Sequence, residues 1–121
     1  MMTVQKALKR TVIVIASLVV LILLAGVARY IVRPIAYGWP LTVEQAANKV
    51  IKQMSKDDLD RLKNMKREDL INLHMGFGQG IRNDFGLWNG NALLLRNSET
   101  NHPDDASMAI IETAWSKLNG K

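Results

Sequence analysis

A single run of apolar residues near the amino end dominates the hydrophobic pattern of the chain. Thr11 to Ala28 holds eighteen consecutive residues without a charged, amide or proline side chain. A helix rises about 1.5 Å per residue, so this run is about 27 Å long, and extending it to Val32 takes it past the roughly 30 Å of a hydrocarbon core. The pattern therefore predicts a single transmembrane helix within an anchor segment over residues 1–33.

Basic residues flank this run on both sides. Lys6, Lys9 and Arg10, together with the terminal amine, precede it, and Arg29 and Arg33 follow it. The larger positive group favours the cytoplasmic side of a membrane. We therefore expect a single-pass protein of a bacterial inner (plasma) membrane, with the rest of the chain outside the cytoplasm and the lipid bilayer as its first partner.

A cleaved signal peptide has the same order of features. Gly26-Val27-Ala28 is a small-residue segment of the kind that signal peptidases cut. The apolar run is longer than the about 7–15 residues usual in a signal peptide, which favours an anchor. Cleavage stays open as the alternative.

The residues after the anchor change in character. Residues 34–41 form a linker in which Pro34 and Pro40 are expected to end helices and Gly38 to loosen the turn. In residues 42–121 apolar positions recur at helical spacing, and we find no stretch alternating at period two that would predict a strand. The expected fold class is all-α: one N-terminal transmembrane helix plus a compact domain of four to five short helices.

Local signals predict where these helices begin. Thr42 and Ser55 are N-cap residues, each followed three positions later by a residue suited to a capping box. Pro103 follows His102 at the start of a final helix, and Gly120 stands where a C-cap is expected. A short apolar run over residues 92–95 precedes that helix.

The third helix of the domain is unusual in its glycine content. It is expected to run from Arg67 to Asn83, with Gly76, Gly78 and Gly80 alternating inside it. Each glycine costs about 1 kcal/mol relative to alanine unless a neighbouring backbone needs the space. Close crossing with another helix is the favoured explanation, and a ligand pocket or a break in the helix are the alternatives.

Charge placement restricts the class of partner. The formal net charge is +5, but residues 1–33 hold five of the sixteen basic residues and no acid, and residues 42–121 hold eleven of each sign. The domain is therefore neutral and has no basic footprint for nucleic acid. The chain has no cysteine, which excludes disulfides and cysteine nucleophiles.

Polar and aromatic residues that are able to form a site gather in two short segments of the domain. They are Arg82, Asn83, Asp84, Phe85, Trp88, His102, Asp104 and Asp105. Structural roles account for many of them: Asp84 can accept from local amides, Asp104 and Asp105 suit a helix start, and Trp88 is most simply a core residue. A sharper hypothesis pairs Arg82 with Asp104 or Asp105, fixing the glycine-rich helix against the last one.

Two function classes follow from these residues, and a third possibility is a small subunit of a membrane complex in which the anchor is itself the interface. The leading one is a protein–protein interaction or accessory module at the bacterial envelope, which presents the Arg82 to Asn91 turn and the His102 to Asp105 cap to a partner. Phe85 and Trp88 exposed beside Arg82 would form an interface patch, whereas their burial would leave only a scaffold. The alternative is a small envelope hydrolase or ligand-binding protein with a cleft between the glycine-rich and last helices, lined by His74, Arg82 and Asp105. No catalytic or metal-ligating spacing is recognised, so no catalytic residue, cofactor or metal is expected.

The two segments, Leu73 to Trp88 and His102 to Trp115, also resemble the signature blocks of a family of small bacterial helical domains known only as uncharacterised. The likeness lies in Ile81-Arg82-Asn83, Phe85-Gly86-Leu87-Trp88 and His102-Pro103-Asp104-Asp105 with Ser107. It implies a compact, mostly helical module without an assigned reaction, cofactor or ligand.

Overall fold

The computed structural model describes residues 3–121. Met1 and Met2, which belong to the predicted anchor segment and carry the terminal amine counted above, lie outside the described residues. Every regular element in residues 3–121 is helical, which confirms the predicted fold class. The elements are α1 (Val4–Ala36), α2 (Val43–Gln53), α3 (Lys56–Asn64), a 3₁₀ helix (Arg67–Leu73), α4 (Gly76–Asp84), α5 (Ala92–Asn97) and α6 (Pro103–Leu118).

The long helix α1 continues past the proline that was predicted to end it. Pro34 lies within its last turn, where the missing amide removes only one hydrogen bond and the helix stops soon afterwards. Gly38 ends the helix instead, with φ of +67°. Its amide donates to Ile35 O and the amide of Trp39 donates to Pro34 O, both at 3.0 Å. These two bonds form a Schellman motif, which satisfies the last carbonyls of α1.

The core of the domain forms around α6, which packs against α2, α4, the 3₁₀ helix, α3 and α5. Ile110, Ile111 and Ala114 of α6 are completely buried, as are Ala46 and Ala47 of α2. Small side chains on α2 let the two helix backbones approach closely, and the apolar stripe of each helix then faces the other.

The predicted helix starts are confirmed by their caps. The hydroxyl of Thr42 accepts from the amide of Gln45 at 3.1 Å, and that of Ser55 accepts from the amide of Asp58 at 3.2 Å. Gln45 Oε1 reaches back to the amide of Leu41 at 3.0 Å, so two otherwise unpaired amides at this helix start have acceptors.

The predicted continuous helix from Arg67 to Asn83 is broken. A 3₁₀ helix ends at Leu73, and α4 begins at Gly76 after a turn through His74 and Met75. The break therefore lies before the glycines. At the break, the carbonyl of His74 accepts a hydrogen bond from the side chain of Arg82 at 3.2 Å.

The last helix begins and ends as predicted. His102 is its N-cap, and its Nδ1 accepts from the amide of Asp104 at 3.2 Å. At the other end Gly120 has φ of +67°, and the amide of Lys121 donates to Ser116 O at 2.9 Å. This is a second Schellman motif, in which glycine avoids the strain of the left-handed conformation.

A set of contacts fixes the end of α1 to the domain. Trp39 packs flat against Gly86, where a Cβ would lie 2.4 Å from the indole ring. Asn91 Nδ2 donates to Pro40 O at 2.9 Å, and Lys49 Nζ donates to Gly38 O at 3.2 Å. The residues that follow α1 are therefore packed into the domain, and α1 itself contacts α5.

Candidate functional site

A buried guanidinium in the last turn of α4 is the centre of the polar cluster. The Arg82 side chain is held among three acceptors, and the residue is only 5% exposed. Its Nη1 donates to His74 O at 3.2 Å and to Ser107 Oγ at 2.9 Å, and its Nε lies 3.1 Å from Asp104 Oδ1. The hypothesised pair of Arg82 with an acid of the last helix is present, with Asp104 rather than Asp105.

One glycine makes room for this cluster. A Cβ on Gly78 would lie 3.1 Å from Arg82 Nη1, 3.2 Å from Leu73 O and 3.4 Å from Ser107 Oγ. Gly76 and Gly80 have no atom within 4 Å of an added Cβ. Close crossing therefore explains Gly78, which faces α6, and does not explain the other two.

Two imidazoles border the exposed edge of Asp104. Its Oδ2 lies 4.0 Å from His74 Nε2 and 3.6 Å from His102 Nδ1. The amide of Asp104 donates to His102 Nδ1, which caps the start of α6. The guanidinium of Arg82, with Nε 3.1 Å from Asp104 Oδ1, lies closer to the carboxylate than either imidazole.

The cluster is arranged to brace helices. The hydroxyl of Ser107 donates to Asp104 O at 2.8 Å and accepts from Arg82, so both of its functions are used. Arg82 thereby joins the turn before α4 to α6 through charge-assisted hydrogen bonds. Among residues 3–121 we find no group of three or more His, Asp or Glu side chains placed to hold a metal ion.

The remaining sequence-predicted site residues are scattered by the fold. Asn83, Asp84 and Asp105 are exposed, and none of them bonds to the Arg82 side chain. Phe85 is buried at 2% exposure, whereas Trp88 is 56% exposed. The interpretation of Trp88 as a core residue is therefore wrong.

The interface patch that Phe85 and Trp88 would make if both were exposed beside Arg82 does not form. Two of its three members are buried, because Phe85 closes the core and Arg82 braces α6. Trp88 is left at the surface, with its ring edge-on to His102 at a centroid distance of 5.6 Å.

The space beside α4 opens toward α2 and α3. The predicted cleft between α4 and α6 is filled by Arg82 and Ser107, which contradicts the pocket of His74, Arg82 and Asp105. On the opposite side of α4 lie two adjoining cavities of about 300 and 250 Å³, which share Met54, Asp58 and Phe77. We call them together the α4 groove.

The two glycines of α4 that do not face α6 lie in this groove. Gly76 and Gly80 line the larger cavity, and Leu73 and Met65 line the smaller one. Both glycines lie one helical turn apart on the open side of α4, where another backbone has room to approach. Apolar side chains form most of the wall of the smaller cavity, and Asp58 and Arg61 are its charged members.

The family model for a domain of unknown function, DUF6794, matches residues 39–118. The chain belongs to the DUF6794 family. This confirms the expected membership of an uncharacterised family. No curated protein and no solved structure matches the chain. The matched range begins at Trp39, so α1 lies outside it and the Trp39–Gly86 contact lies inside it.

Sequence reasoning missed one organising residue of the DUF6794 domain. Asn91 is almost completely buried, and its Nδ2 donates to Pro40 O at 2.9 Å and to Phe85 O at 2.8 Å. Its Oδ1 caps α5 by accepting from the amide of Leu94 at 3.3 Å. The sequence does predict that Asn91 caps a helix, because it directly precedes an apolar run. It does not predict the bonds to Pro40 O and Phe85 O, because Pro40 is distant in sequence and Phe85 lies outside the helix that Asn91 caps.

Proposed function

We propose that this DUF6794 protein is a single-pass membrane protein in which α1 crosses a bilayer and holds the helical domain against one face. The supporting observation is that α1 is long and apolar enough to cross a membrane while none of its most apolar stretch is buried by the rest of the protein. Exposed apolar surface on this scale is costly in water, at roughly 25 cal/mol per Å². A hydrocarbon layer removes that cost.

A cleaved leader is the competing role for α1, and recovery of the mature chain separates the two. We expect the chain to stay in the membrane fraction after carbonate extraction and to be released by detergent. Its intact mass is expected to include the residues before Ala28. A mature chain that begins just after Ala28 and is found in the aqueous fraction would contradict the anchor.

We further propose that the membrane is a bacterial inner membrane and that the domain lies outside the cytoplasm. The three basic residues before the apolar run, Lys6, Lys9 and Arg10, support this orientation through the positive-inside rule. A C-terminal alkaline phosphatase fusion is expected to be active and a C-terminal green fluorescent protein fusion to be dark. The reverse pattern would place the domain in the cytoplasm.

The domain is proposed to act as an interaction module for a protein partner in or near the same membrane. The α4 groove supports this role, because it combines a half-buried apolar floor with two glycines that leave space for a helix. Met54 and Met65 in its walls are flexible side chains that adapt to apolar partners.

Site-specific crosslinking in native membranes tests the groove. A photoreactive residue at Gln53, an exposed position that lines the larger cavity, is expected to give a discrete adduct with one partner. The same photoreactive residue at Asp60, an exposed position of α3 that lines neither cavity, is the matched control. Equal labelling from both positions would exclude the groove as the partner site.

A further inference from the structure

The turn from Gly86 to Asn91, which we call the 86–91 turn, is fixed beside the end of α1. The amides of Asn89 and Asn91 both donate to Gly86 O at 2.9 Å, which closes the turn. A Cβ on Gly90 would lie 3.7 Å from the side chain of Arg33, so this part of the turn is in contact range of the last turn of α1.

This contact sets the level of the turn relative to a membrane. Arg33 follows Ala28 by five residues, which places it about 7.5 Å further along the helix axis. Headgroup layers extend roughly 5–8 Å beyond the hydrocarbon core on each side. If α1 spans the bilayer as proposed above, Arg33 and the adjacent Gly90 therefore lie at the level of the lipid headgroups.

The one large side chain that the turn exposes suits that environment. Trp88 is 56% exposed, whereas its neighbour Leu87 is buried at 4% exposure. Tryptophan is enriched at membrane interfaces because its ring is apolar and its indole N–H finds polar partners there. The ring of Trp88 lies edge-on to that of His102 and stays exposed beside it.

We infer that Trp88 enters the headgroup layer next to α1 and gives the DUF6794 domain a second point of membrane contact, remote in sequence from the anchor. The ligand is the lipid interface itself, and Arg33 beside Gly90 supplies the charge that attracts anionic headgroups. The inference rests on the proposed membrane-spanning role of α1. It assigns a function to the exposure of Trp88 that packing within the domain does not explain.

Depth-dependent quenching in vesicles tests this contact, and the absence of native cysteines allows single labels on the full chain. A fluorophore is attached at Asn89→Cys, next to Trp88, or at Asp60→Cys on α3 as the matched exposed control. A third label at Val20→Cys reports on α1. The vesicles contain phosphatidylethanolamine and phosphatidylglycerol, with nitroxide lipids labelled near the ester group or near the chain end.

The shallow nitroxide is expected to quench the label at position 89 strongly and the label at position 60 weakly. Trp88→Gln is expected to reduce the quenching at position 89, although the contact of Gly90 with Arg33 still holds the turn beside α1, and Trp88→Tyr is expected to retain it, with circular dichroism showing that both variants are folded. Quenching at position 89 that Trp88→Gln leaves unchanged would overturn the inference. Tyrosine keeps an amphipathic ring, so this pair separates membrane insertion from a general packing effect.

The label at position 20 separates the two proposals. If the chain-end nitroxide quenches position 20 but the shallow nitroxide spares position 89, the membrane contact of Trp88 is overturned and the spanning role of α1 stands. If position 20 is not quenched, the spanning role fails, and the inference fails with it. Equal quenching at positions 60 and 89 would show unspecific adsorption and also overturn the inference.

Discussion

A buried guanidinium has to satisfy its donors, and Arg82 does so with three acceptors from two separate parts of the chain. His74 O belongs to the turn before α4, and Asp104 and Ser107 belong to α6. The planar fork of arginine holds these acceptors at fixed directions, which a flexible lysine ammonium cannot reproduce. The geometry of the cluster therefore depends on the residue type as well as on the charge.

We predict that Arg82→Lys destabilises the domain by about 1–3 kcal/mol, because buried acceptors lose their donor while the charge is kept. Thermal unfolding in detergent, followed by circular dichroism, measures this change. Arg61→Lys, at an exposed position of α3, is the control and is expected to be within about 0.5 kcal/mol of the parent. An unchanged melting temperature for Arg82→Lys would refute the bracing role of the cluster.

The alternating glycines lead to a second prediction at the scale of single residues. Gly80→Ala is expected to stabilise the domain by up to about 1 kcal/mol, since alanine favours helix and nothing lies within 4 Å of the added Cβ. Gly78→Ala gains the same propensity but presses on Leu73 O and Arg82 Nη1. We expect Gly78→Ala to melt below both Gly80→Ala and the parent.

Denaturant unfolding of the two alanine variants under the same conditions provides the comparison. Because the two sites share one helix and one substitution, the difference between them isolates the crowding at the α4–α6 crossing. Similar stabilities for the two variants would show that the Arg82 side chain moves aside at little cost.

At the scale of elements, the connector after α1 is ordered by two different devices. The Schellman motif at Gly38 ends α1 by local hydrogen bonds, and Trp39 then packs on Gly86 of the domain. Asn91 adds a hydrogen bond to Pro40 O from the other end of the 86–91 turn. The connector is thus part of the packed structure, although its sequence, rich in Pro and Gly, resembles a flexible linker.

The contact between Trp39 and Gly86 leads to a prediction that separates strain from crowding. Gly86 and Gly120 have φ of +68° and +67°, but only Gly86 is crowded, since an added Cβ would lie 2.4 Å from the indole. Gly120→Ala is expected to cost about 1–2 kcal/mol from the left-handed conformation alone. Gly86→Ala is expected to cost clearly more, because the ring of Trp39 must also be displaced.

Equilibrium unfolding gives both losses, and a Trp39→Ala background tests their cause. If crowding against Trp39 is the source of the extra loss, the additional effect of Gly86→Ala is expected to shrink when the ring is absent. If the extra loss of stability persists in that background, its cause is the backbone of the turn and not the ring of Trp39.

The elements also show what a sequence determines locally. Helix starts at Thr42 and Ser55 and the end at Gly120 were predictable because each depends on hydrogen bonds within a few residues. The extension of α1 through Pro34 was missed because a proline in the last turn costs little. A break in the glycine-rich helix was only an alternative, and its position at His74 could not be predicted because the carbonyl of His74 is bound by Arg82, eight residues away.

The candidate site shows the same division between local and distant causes. The pair of Arg82 with an acid of α6 was predictable from the opposite charges of the two segments, whereas the choice of Asp104 over Asp105 depends on the phase of the helix. The two tryptophans Trp88 and Trp115 have identical hydrophobicity, yet Trp115 is buried with its Nε1 donating to Met65 O at 2.9 Å and Trp88 is exposed. Only the packing of the whole domain separates them.

At the scale of the whole molecule, the domain and α1 are joined by contacts on both sides of Gly38. Pro34 is completely buried, Arg33 lies beside Gly90, and α1 packs against α5. A domain held this way keeps one orientation relative to α1, because bending at the connector would break the Schellman bonds and expose Trp39. If α1 spans a bilayer as proposed, this fixed orientation holds the 86–91 turn at the headgroup level.

We predict a narrow distance distribution between spin labels at Ile22→Cys on α1 and Asp60→Cys on α3, measured by double electron–electron resonance in nanodiscs. Inserting Gly-Ser-Gly-Ser between Gly38 and Trp39 interrupts the ordered connector with a flexible chain that spans about 10–12 Å. The width of the distance distribution is therefore expected to increase by about that length. The same insertion after Gly120 is the control and is expected to leave the width unchanged. Equal widths for all three chains would mean that the contacts of Pro34 and Arg33 hold the domain without the connector, and a broad parent distribution would contradict a fixed orientation.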